Sequence, residues 1–401
     1  MFRKAITIDE LPISQQDCPN LWTWTSDIPI NSYSNGTDYP KISIITPSFN
    51  QGEFIEQTIR SVILQNYPNL QYIVIDGGST DGTVEILEKY SEWIDYWVSE
   101  TDRGQSHAIN KGLKICDGEW FNWINSDDYL MPDAIANMVN AVGKFPNAKI
   151  VTGVTENIRE GNVFGQYSAT FSQDSNFPFF NVGVNQPGSL LRLAEVKACN
   201  GVREDLGLCM DLDLWLQILI KNDQNSLISI PEIVSTYRYH SQSKTCSTQD
   251  AFALEEFAIL LDLYQSLLSI PVPESLEQLR TQCKASKFNY VSNNTYKSDQ
   301  LSKQFFDRLL VNDSLLFRAI MQSPKLKEGF FHYFQELLEE LNSEIHQLYG
   351  QNTEKIISNA WLRAMQNKGS LYKTGILMTL KTLPFIHTIK ELARITVKGK
   401  R

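Results

Sequence analysis

From residue 41 to residue 124 the chain alternates short apolar runs with stretches of helical period. Lys41 to Thr46 reads as a strand stopped by Pro47, and the loop Ser48-Phe49-Asn50-Gln51-Gly52 follows. Phe54, Ile55, Thr58, Ile59, Val62 and Ile63 then recur at helical spacing as far as Tyr67-Pro68-Asn69. Gln71 to Ile75 is a second strand, ended by Asp76 and a Gly-rich turn, with Thr80 or Asp81 placed to cap a helix from Val84 to Tyr90. Ile94 to Ser99 gives a third strand, and Asp102-Arg103-Gly104-Gln105 leads into a helix through Ile115. Glu119 to Ile124 is the fourth. Strands that each hand over to a helix predict a mostly parallel sheet with helices on both faces.

The pattern changes after about residue 147. Lys149 to Gly153 and Thr155 to Phe164 read as strands, with a hairpin at Glu160-Gly161-Asn162. Gln186 to Leu191 is a short strand followed by a helix from Ala194. Leu212, Leu214, Trp215, Ile218 and Leu219 make the apolar face of another helix, and Ser226 to Ile230 and Ile233 to Tyr239 read as two short strands. From Gln249 onward the pattern is helical. The predicted layout is a lead-in over 1–40 with Trp22 and Trp24 laid on the surface, an α/β domain over 41–248, and a helical region over 249–401.

Composition narrows the classes. A net charge of −10 argues against general nucleic-acid binding. No apolar run approaches the roughly 18 residues of a membrane span, and Met1-Phe2-Arg3-Lys4 precedes no signal-peptide core, so a cytoplasmic location is the default expectation. The six cysteines form no C-x-x-C pair, which leaves reduced thiols and no zinc ribbon. Residues 368–401 hold eight Lys or Arg against one acid, Glu391, interleaved with apolar residues and split by Pro384. Two readings stand for this tail: a helix pair packed on the acidic domain, or peripheral contact with an anionic membrane at the inner face.

The chemistry gathers at Asn125-Ser126-Asp127-Asp128, where the apolar run Trp120 to Ile124 stops on two adjacent carboxylates. Acids at the end of a buried strand are costly unless a cation or a solvated cleft meets them, and ligands of open α/β sheets sit beyond strand carboxyl ends. The pattern therefore fits a metal and phosphate site. The structural alternative is a polar turn in which Asp128 caps a helix begun at Pro132.

Residues 41 to about 245 resemble the family 2 glycosyltransferases. The stretches that carry the resemblance are I-S-I-I-T-P-S-F-N-Q-G, R-S-V-I-L-Q-N-Y-P-N, I-V-I-D-G-G-S-T-D-G-T, S-E-T-D-R-G-Q-S-H-A-I-N-K-G, W-I-N-S-D-D, N-Q-P-G-S-L-L-R, M-D-L-D-L-W-L and Y-R-Y-H-S-Q-S, in the family's order. The resemblance implies a GT-A fold, a Rossmann-like mixed sheet with helices on both faces, beside the all-helical C-terminal region. It implies an inverting enzyme that moves one sugar from a nucleotide-diphosphate sugar, by default a UDP-sugar, to a hydroxyl of a glycan or lipid-linked acceptor in cell-surface polysaccharide or glycoconjugate synthesis. The Q-x-x-R-W signature of processive synthases is absent, so single-sugar transfer is expected.

The same resemblance assigns roles. Thr46, Pro47, Asn50 and Asp76 fall where the family holds the nucleoside. Arg103, Asn110 and Lys111 fall in its donor-binding segment. Its Asp-x-Asp metal motif reads Asn125-Ser126-Asp127 here, which leaves Asp127 and Asp128, with His240, for Mg²⁺ or Mn²⁺ and Asn125 and Ser126 for the donor. Asp211 aligns with the general base that a sugar hydroxyl needs. Gln186, Gly188 and Ser189 fall where the acceptor cleft should lie. The amide at Asn125 also leaves open a protein of this fold that holds a nucleotide sugar without turning it over. A dinucleotide oxidoreductase is set aside because no G-x-G-x-x-G follows the first strand.

Overall fold

The structure is a computed structural model that describes residues 3–13, 23, 39–169, 182–184, 186–222, 224–244, 249–268, 277, 280–281 and 285–294. Trp22, Trp24 and the basic tail lie outside the described residues. Those of 3–169, 182–244 and 291–294 form one compact unit, and those of 249–290 a second.

The first unit is built on a nine-stranded mixed sheet. Strands β1 (Ile42–Ser48), β2 (Leu70–Asp76), β3 (Tyr96–Ser99) and β4 (Trp120–Trp123) run parallel in the order β3-β2-β1-β4. All seven residues of β1 are buried, as expected of a central parallel strand covered on both faces. Helices α1 (Ile55–Ile63), α2 (Thr83–Lys89) and α3 (Gln105–Leu113) make the crossovers. At Gly112 of α3 a Cβ would come within 2.6 Å of Ile45 Cδ1, so the absent side chain lets α3 lie close on β1. The chain winds outward from β1 to β3 and returns to β4 on the other side of β1. That reversal opens a crevice beyond the carboxyl ends of β1 and β4.

The other half of the sheet is mixed. β5 (Tyr129–Leu130), β6 (Ile150–Arg159), β7 (Asn162–Tyr167), β8 (Ser189–Arg192) and β9 (Leu227–Tyr239) complete it. β8 lies antiparallel between β4 and β6, β9 runs parallel to β6, and β5 pairs antiparallel with β9. The predicted break at Gly153-Val154 is a register shift inside one continuous strand, β6. The same pairing carries β9 through Pro231-Glu232, so the two short strands expected there are one of 13 residues. The hairpin between β6 and β7 turns on Glu160 (φ 49°) and Gly161 (φ 76°), the two left-handed positions that a tight twisted hairpin requires. α4 (Ala134–Lys144), α5 (Leu193–Ala198) and α6 (Met210–Lys221) finish this unit.

Its core joins Ile42, Ile44, Val74 and Trp120 of the parallel strands, and Ile124 just beyond β4, to Ile59 and Val62 of α1 and Ile135 and Met138 of α4. In the second unit α7 (Gln249–Leu268) buries Phe257, Leu261 and Tyr264. Asp262 of α7, 1% exposed, is paired with Arg280 at 3.0 Å and accepts the Phe288 amide at 2.7 Å. The burial of that charge is thus compensated locally.

Candidate active site

The loops after β1 and β2 are stitched to each other. Asn50 sits at φ 52°, where its amide N–H donates to Ser79 Oγ at 2.7 Å and its side-chain oxygen accepts the Thr80 amide at 2.9 Å. Asp81 accepts the Gly52 amide at 2.9 Å and both the amide and hydroxyl of Thr83. Burial opposes the charge of Asp81, yet these hydrogen bonds overcome it and hold the carboxyl below its ordinary range. Asp76 is wholly buried and accepts from Gly78 N, Ser79 N, Ser79 Oγ and Ser99 Oγ. It shapes this loop as well as ending the strand. β1 runs on to Ser48, so Thr46 and Pro47 lie within the strand and not at its end. Thr46 is fully buried with its hydroxyl 3.0 Å from Tyr72 Oη, which corrects its expected place on the nucleoside.

The Asn125–Asp128 loop is held from below by α1. The Thr58 hydroxyl lies 2.9 Å from the Ser126 carbonyl and 2.6 Å from that of Asp128. Exposure alternates along the loop: Asn125 and Asp127 are partly open, while Ser126 and Asp128 are buried. Asn125 Oδ1 accepts Gln105 Nε2 at 2.7 Å, and its Nδ2 donates to Asp128 Oδ2 and Gln186 Oε1. Asp127 Oδ2 lies 3.0 Å from His240 Nε2, whose ring packs 4.7 Å from that of Phe54.

Asp128 does not join that pair. It is 1% exposed, and its Oδ1 accepts the Arg238 amide at 3.0 Å. Burial, and then the charge of Asp127, push its carboxyl well above the usual range. Burial likewise lowers the Arg238 guanidinium, which the Asp128 charge works to restore. Arg238 donates to Gln57 Oε1 and lies 4.6 Å over the Phe54 ring. Asp128 therefore ties the loop to β9. It also caps nothing, because the helix after it starts at Ala134 and β5 intervenes.

A divalent cation needs accessible oxygen or nitrogen donors. Asp127 and His240 supply one each, side by side, with side chains 21% and 15% exposed. Among the described residues no three His, Cys, Asp or Glu side chains share a metal-site arrangement. The residues present fit an ion that takes its other ligands from phosphate oxygens and water, as Mg²⁺ does, and they exclude Asp128 from the set.

Asp211 lies in the first turn of α6, partly open, with Oδ1 accepting the Leu212 amide at 2.8 Å. Asp213 points inward: it is wholly buried and held by Arg203 and Gln217. Of the two acids in M-D-L-D, only Asp211 is open to solvent. Lys244 joins the loop before α6 to the start of α3, its ammonium donating to Gly207 O and Gln105 Oε1, both at 2.9 Å, and Gln105 in turn donates to Asn125. Ser106 Oγ adds a bond to Leu206 O at 3.1 Å.

Several expected donor and acceptor contacts have other partners. Asn110 clasps the backbone of Val202, donating to its carbonyl and accepting its amide. Lys111 is paired with Glu100 at 2.6 Å, and the 69% exposed Arg103 with Glu204. Gln186 donates to Trp123 O and Ser189 to Thr152 Oγ1, both from buried positions. At Gly188 a Cβ would meet Ser235 Oγ at 2.7 Å, so this segment is packed interior and not an open cleft. Gln105, Lys244 and Arg238 were not assigned from sequence. All three stand inside or next to quoted motifs, but only the fold shows that Gln105 and Arg238 bond the Asn125–Asp128 loop and that Lys244 bonds Gln105.

Residues 43–215 match the sequence model of the family described as Glycosyl transferase family 2. An uncharacterized glycosyltransferase of Rickettsia typhi is 25% identical over 297 residues, 70% of this chain and 88% of the relative. The putative teichuronic acid biosynthesis glycosyltransferase TuaG of Bacillus subtilis is 31% identical over 131 residues, 32% of this chain and 52% of the relative. Two further Rickettsia relatives are matched over 36% and 37% of their length. The crystal structure of S. aureus TarS 1–349 in complex with UDP-GlcNAc superposes with a TM-score of 0.55 at 15% identity, over 88% of this chain and 92% of that one, a likeness of fold alone. Over residues 43–215 the chain is thus similar to the family 2 glycosyltransferases, and its fold is GT-A.

Proposed function

We propose that this chain transfers a single sugar from a nucleotide-diphosphate donor, a UDP-sugar, to a hydroxyl of a glycan or lipid-linked acceptor, with inversion at the anomeric carbon. The observation that carries the reading is the Asp127–His240 pair at the β1/β4 crevice, with the open carboxylate of Asp211 on a helix whose lead-in is tied to the same loop through Lys244 and Gln105. TuaG's description and the UDP-GlcNAc in the TarS complex support a cell-surface polysaccharide and a UDP donor.

Asp127 and His240 would hold Mg²⁺ or Mn²⁺, which neutralises charge on the departing diphosphate. The remaining work falls to the chain. The clamped Asn50–Thr83 loops present a rigid wall to the nucleoside, because their backbone donors and acceptors are already fixed by Asp76, Asp81 and Asn50. Arg238, lodged between Phe54 and Gln57 beside Asp128, brings a cation to the diphosphate side of the crevice. Asp211 accepts the acceptor hydroxyl proton as the oxygen attacks, so that an alcohol reacts near neutral pH.

A thermal-shift panel of UDP-, GDP- and dTDP-sugars, with and without Mn²⁺, tests the donor assignment. Ligand that binds only the folded state raises Tm by mass action, and a UDP-sugar with Mn²⁺ should raise it most. A larger shift with GDP- or dTDP-sugars would reassign the nucleotide. The basic sequence of residues 368–401 supports peripheral contact with anionic lipid, which vesicle flotation of the full chain against a chain ending at Asn367 tests.

A further inference from the structure

The side-chain amide at the head of the Asp127 turn is wired in one direction. Asn125 O accepts the Asp128 amide at 3.0 Å, closing a turn with Ser126 and Asp127 at its corners. Both polar atoms of the Asn125 side chain are used. Its Oδ1 accepts Gln105 Nε2 at 2.7 Å, and its Nδ2 donates to Asp128 Oδ2 at 3.2 Å and to Gln186 Oε1 at 3.3 Å. Gln186, 9% exposed, donates through Nε2 to Trp123 O at 2.5 Å. Gln105 Oε1 accepts Lys244 Nζ at 2.9 Å. The line runs from Lys244 through Gln105, Asn125 and Gln186 to the backbone of β4, each member donating to the next.

Both ends fix that direction. An ammonium can only donate, and a backbone carbonyl can only accept. Reversing one of the three amides between them sets oxygen against oxygen and nitrogen against nitrogen. Reversing all three moves the mismatch to Lys244 and Trp123, which have no other face to show. Position 125 must therefore carry an acceptor toward Gln105 and a donor toward Gln186. An ionised aspartate there has the same shape and no donor. It would turn oxygen alone to Gln186 Oε1 and to the Asp128 carboxylate, both on buried residues that would lose a partner.

We infer that Gln105 is a positioning residue of the proposed metal and donor site, and that the Asn125 amide is the group it positions. The inference rests on the glycosyltransferase reading. The turn that Asn125 heads carries Asp127. The segment after β9 meets this turn twice, with His240 at Asp127 and with Lys244, through Gln105, at Asn125. Ser243 holds that segment in shape, donating to His240 O from its amide at 3.0 Å and from its hydroxyl at 2.9 Å. The tie through Gln105 sets the rotation of the turn, and with it where the Asp127 carboxylate stands against His240. Position 125 serves the cation by holding Asp127, with its own oxygen turned to Gln105.

The test measures UDP affinity with and without Mn²⁺, and Tm, on the full chain and on its Asn125→Asp, Gln105→Glu and Gln105→Met variants. Gln105→Glu keeps the acceptor for Lys244 and turns an oxygen to Asn125, whereas Gln105→Met only removes the donor. The Mn²⁺-dependent part of UDP affinity should fall in the order wild type, Gln105→Met, Gln105→Glu, by about tenfold or more in the last. Asn125→Asp should lose affinity on the same scale, although it adds a carboxylate beside the cation. Metal-free UDP affinity and Tm of the Gln105 variants should stay at wild-type values, which separates positioning from a general loosening of the fold. Mn²⁺-dependent affinity at or above wild type in Asn125→Asp overturns the inference, as does equal affinity across the Gln105 series. A Tm that drops in step with affinity in both Gln105 variants assigns Gln105 to stability and overturns it too. A wild type that binds UDP with no gain from Mn²⁺ removes the metal reading, and one that binds no UDP removes the donor reading. The inference falls with either, and the wild type alone shows which.

Discussion

His240 Nε2 and Asp127 Oδ2 stand 3.0 Å apart, joining the first residue beyond β9 to the loop after β4 across 113 positions of sequence. Both side chains are partly open, whereas the neighbouring Asp128 is sealed. Adjacent acids in the sequence thus differ in setting: Asp127 is partly open beside His240, and Asp128 is buried against the amide of Arg238 on the strand that leads to His240.

That division predicts different outcomes for two conservative changes. Asp127→Asn should abolish the Mn²⁺-dependent part of UDP binding with Tm nearly unchanged. Asp128→Ala should lower Tm, because it strips a buried partner from the Arg238 amide and from Asn125, a loss of about 1–3 kcal/mol. Calorimetric titration with UDP and a melting curve on each variant read both effects. An Asp127→Asn protein with full metal-dependent UDP affinity would take Asp127 out of the site.

Asp211→Asn should keep donor affinity and lower turnover by roughly 10²–10⁴. Asp213→Asn should act on stability instead, since its carboxylate is buried against Arg203 and Gln217. Donor hydrolysis and melting temperature, measured on the pair, distinguish a base from a structural acid. The assignment fails if the two variants behave alike.

Asn110→Ala should destabilise the fold by about 1–3 kcal/mol, leaving the Val202 amide and carbonyl without their side-chain partner. UDP affinity should not change. A selective loss of UDP binding at constant Tm would restore Asn110 to the donor site.

Asp81→Ala should cost about 1 kcal/mol through loss of its hydrogen bonds from Gly52 and Thr83, and the cost should depend on pH. The folded carboxyl is held below its unfolded value, so its contribution is complete above the unfolded pKa, roughly 4. As pH falls through the lowered folded pKa, that contribution disappears. The stability gap between wild type and variant should therefore be constant near neutrality and close on acidification. A gap that widens in acid would contradict the sign.

The parallel half of the sheet was legible because burial on both faces writes strands as apolar runs without strict alternation, as in Ile44-Ile45 and Ile73 to Ile75. The β6 and β9 boundaries were not, because Gly153 and Pro231-Glu232 read locally as breaks while pairing between the two strands carries each through. β5 is two residues long and has no pattern of its own. At the proposed site, motif order singled out Asp127, Asp211 and His240, which the structure leaves partly open. Motif order could not separate ligand from scaffold among residues of the same type. Thr46, Asn110 and Asp128 are polar residues in matching stretches, yet each spends its polar atoms on Tyr72, Val202 or Arg238. Those partners lie 26 to 110 positions away, and no local pattern records them.

The most direct test of inverting transfer needs no acceptor. Incubated with an α-linked UDP-sugar and Mn²⁺, the enzyme should slowly hydrolyse the donor, with water in place of the acceptor hydroxyl. Proton NMR followed from the first minutes, before mutarotation, should show the β-anomer of the free sugar appearing first, in the wild type and far more slowly in Asp211→Asn. First appearance of the α-anomer would contradict both the direct displacement and the role given to Asp211.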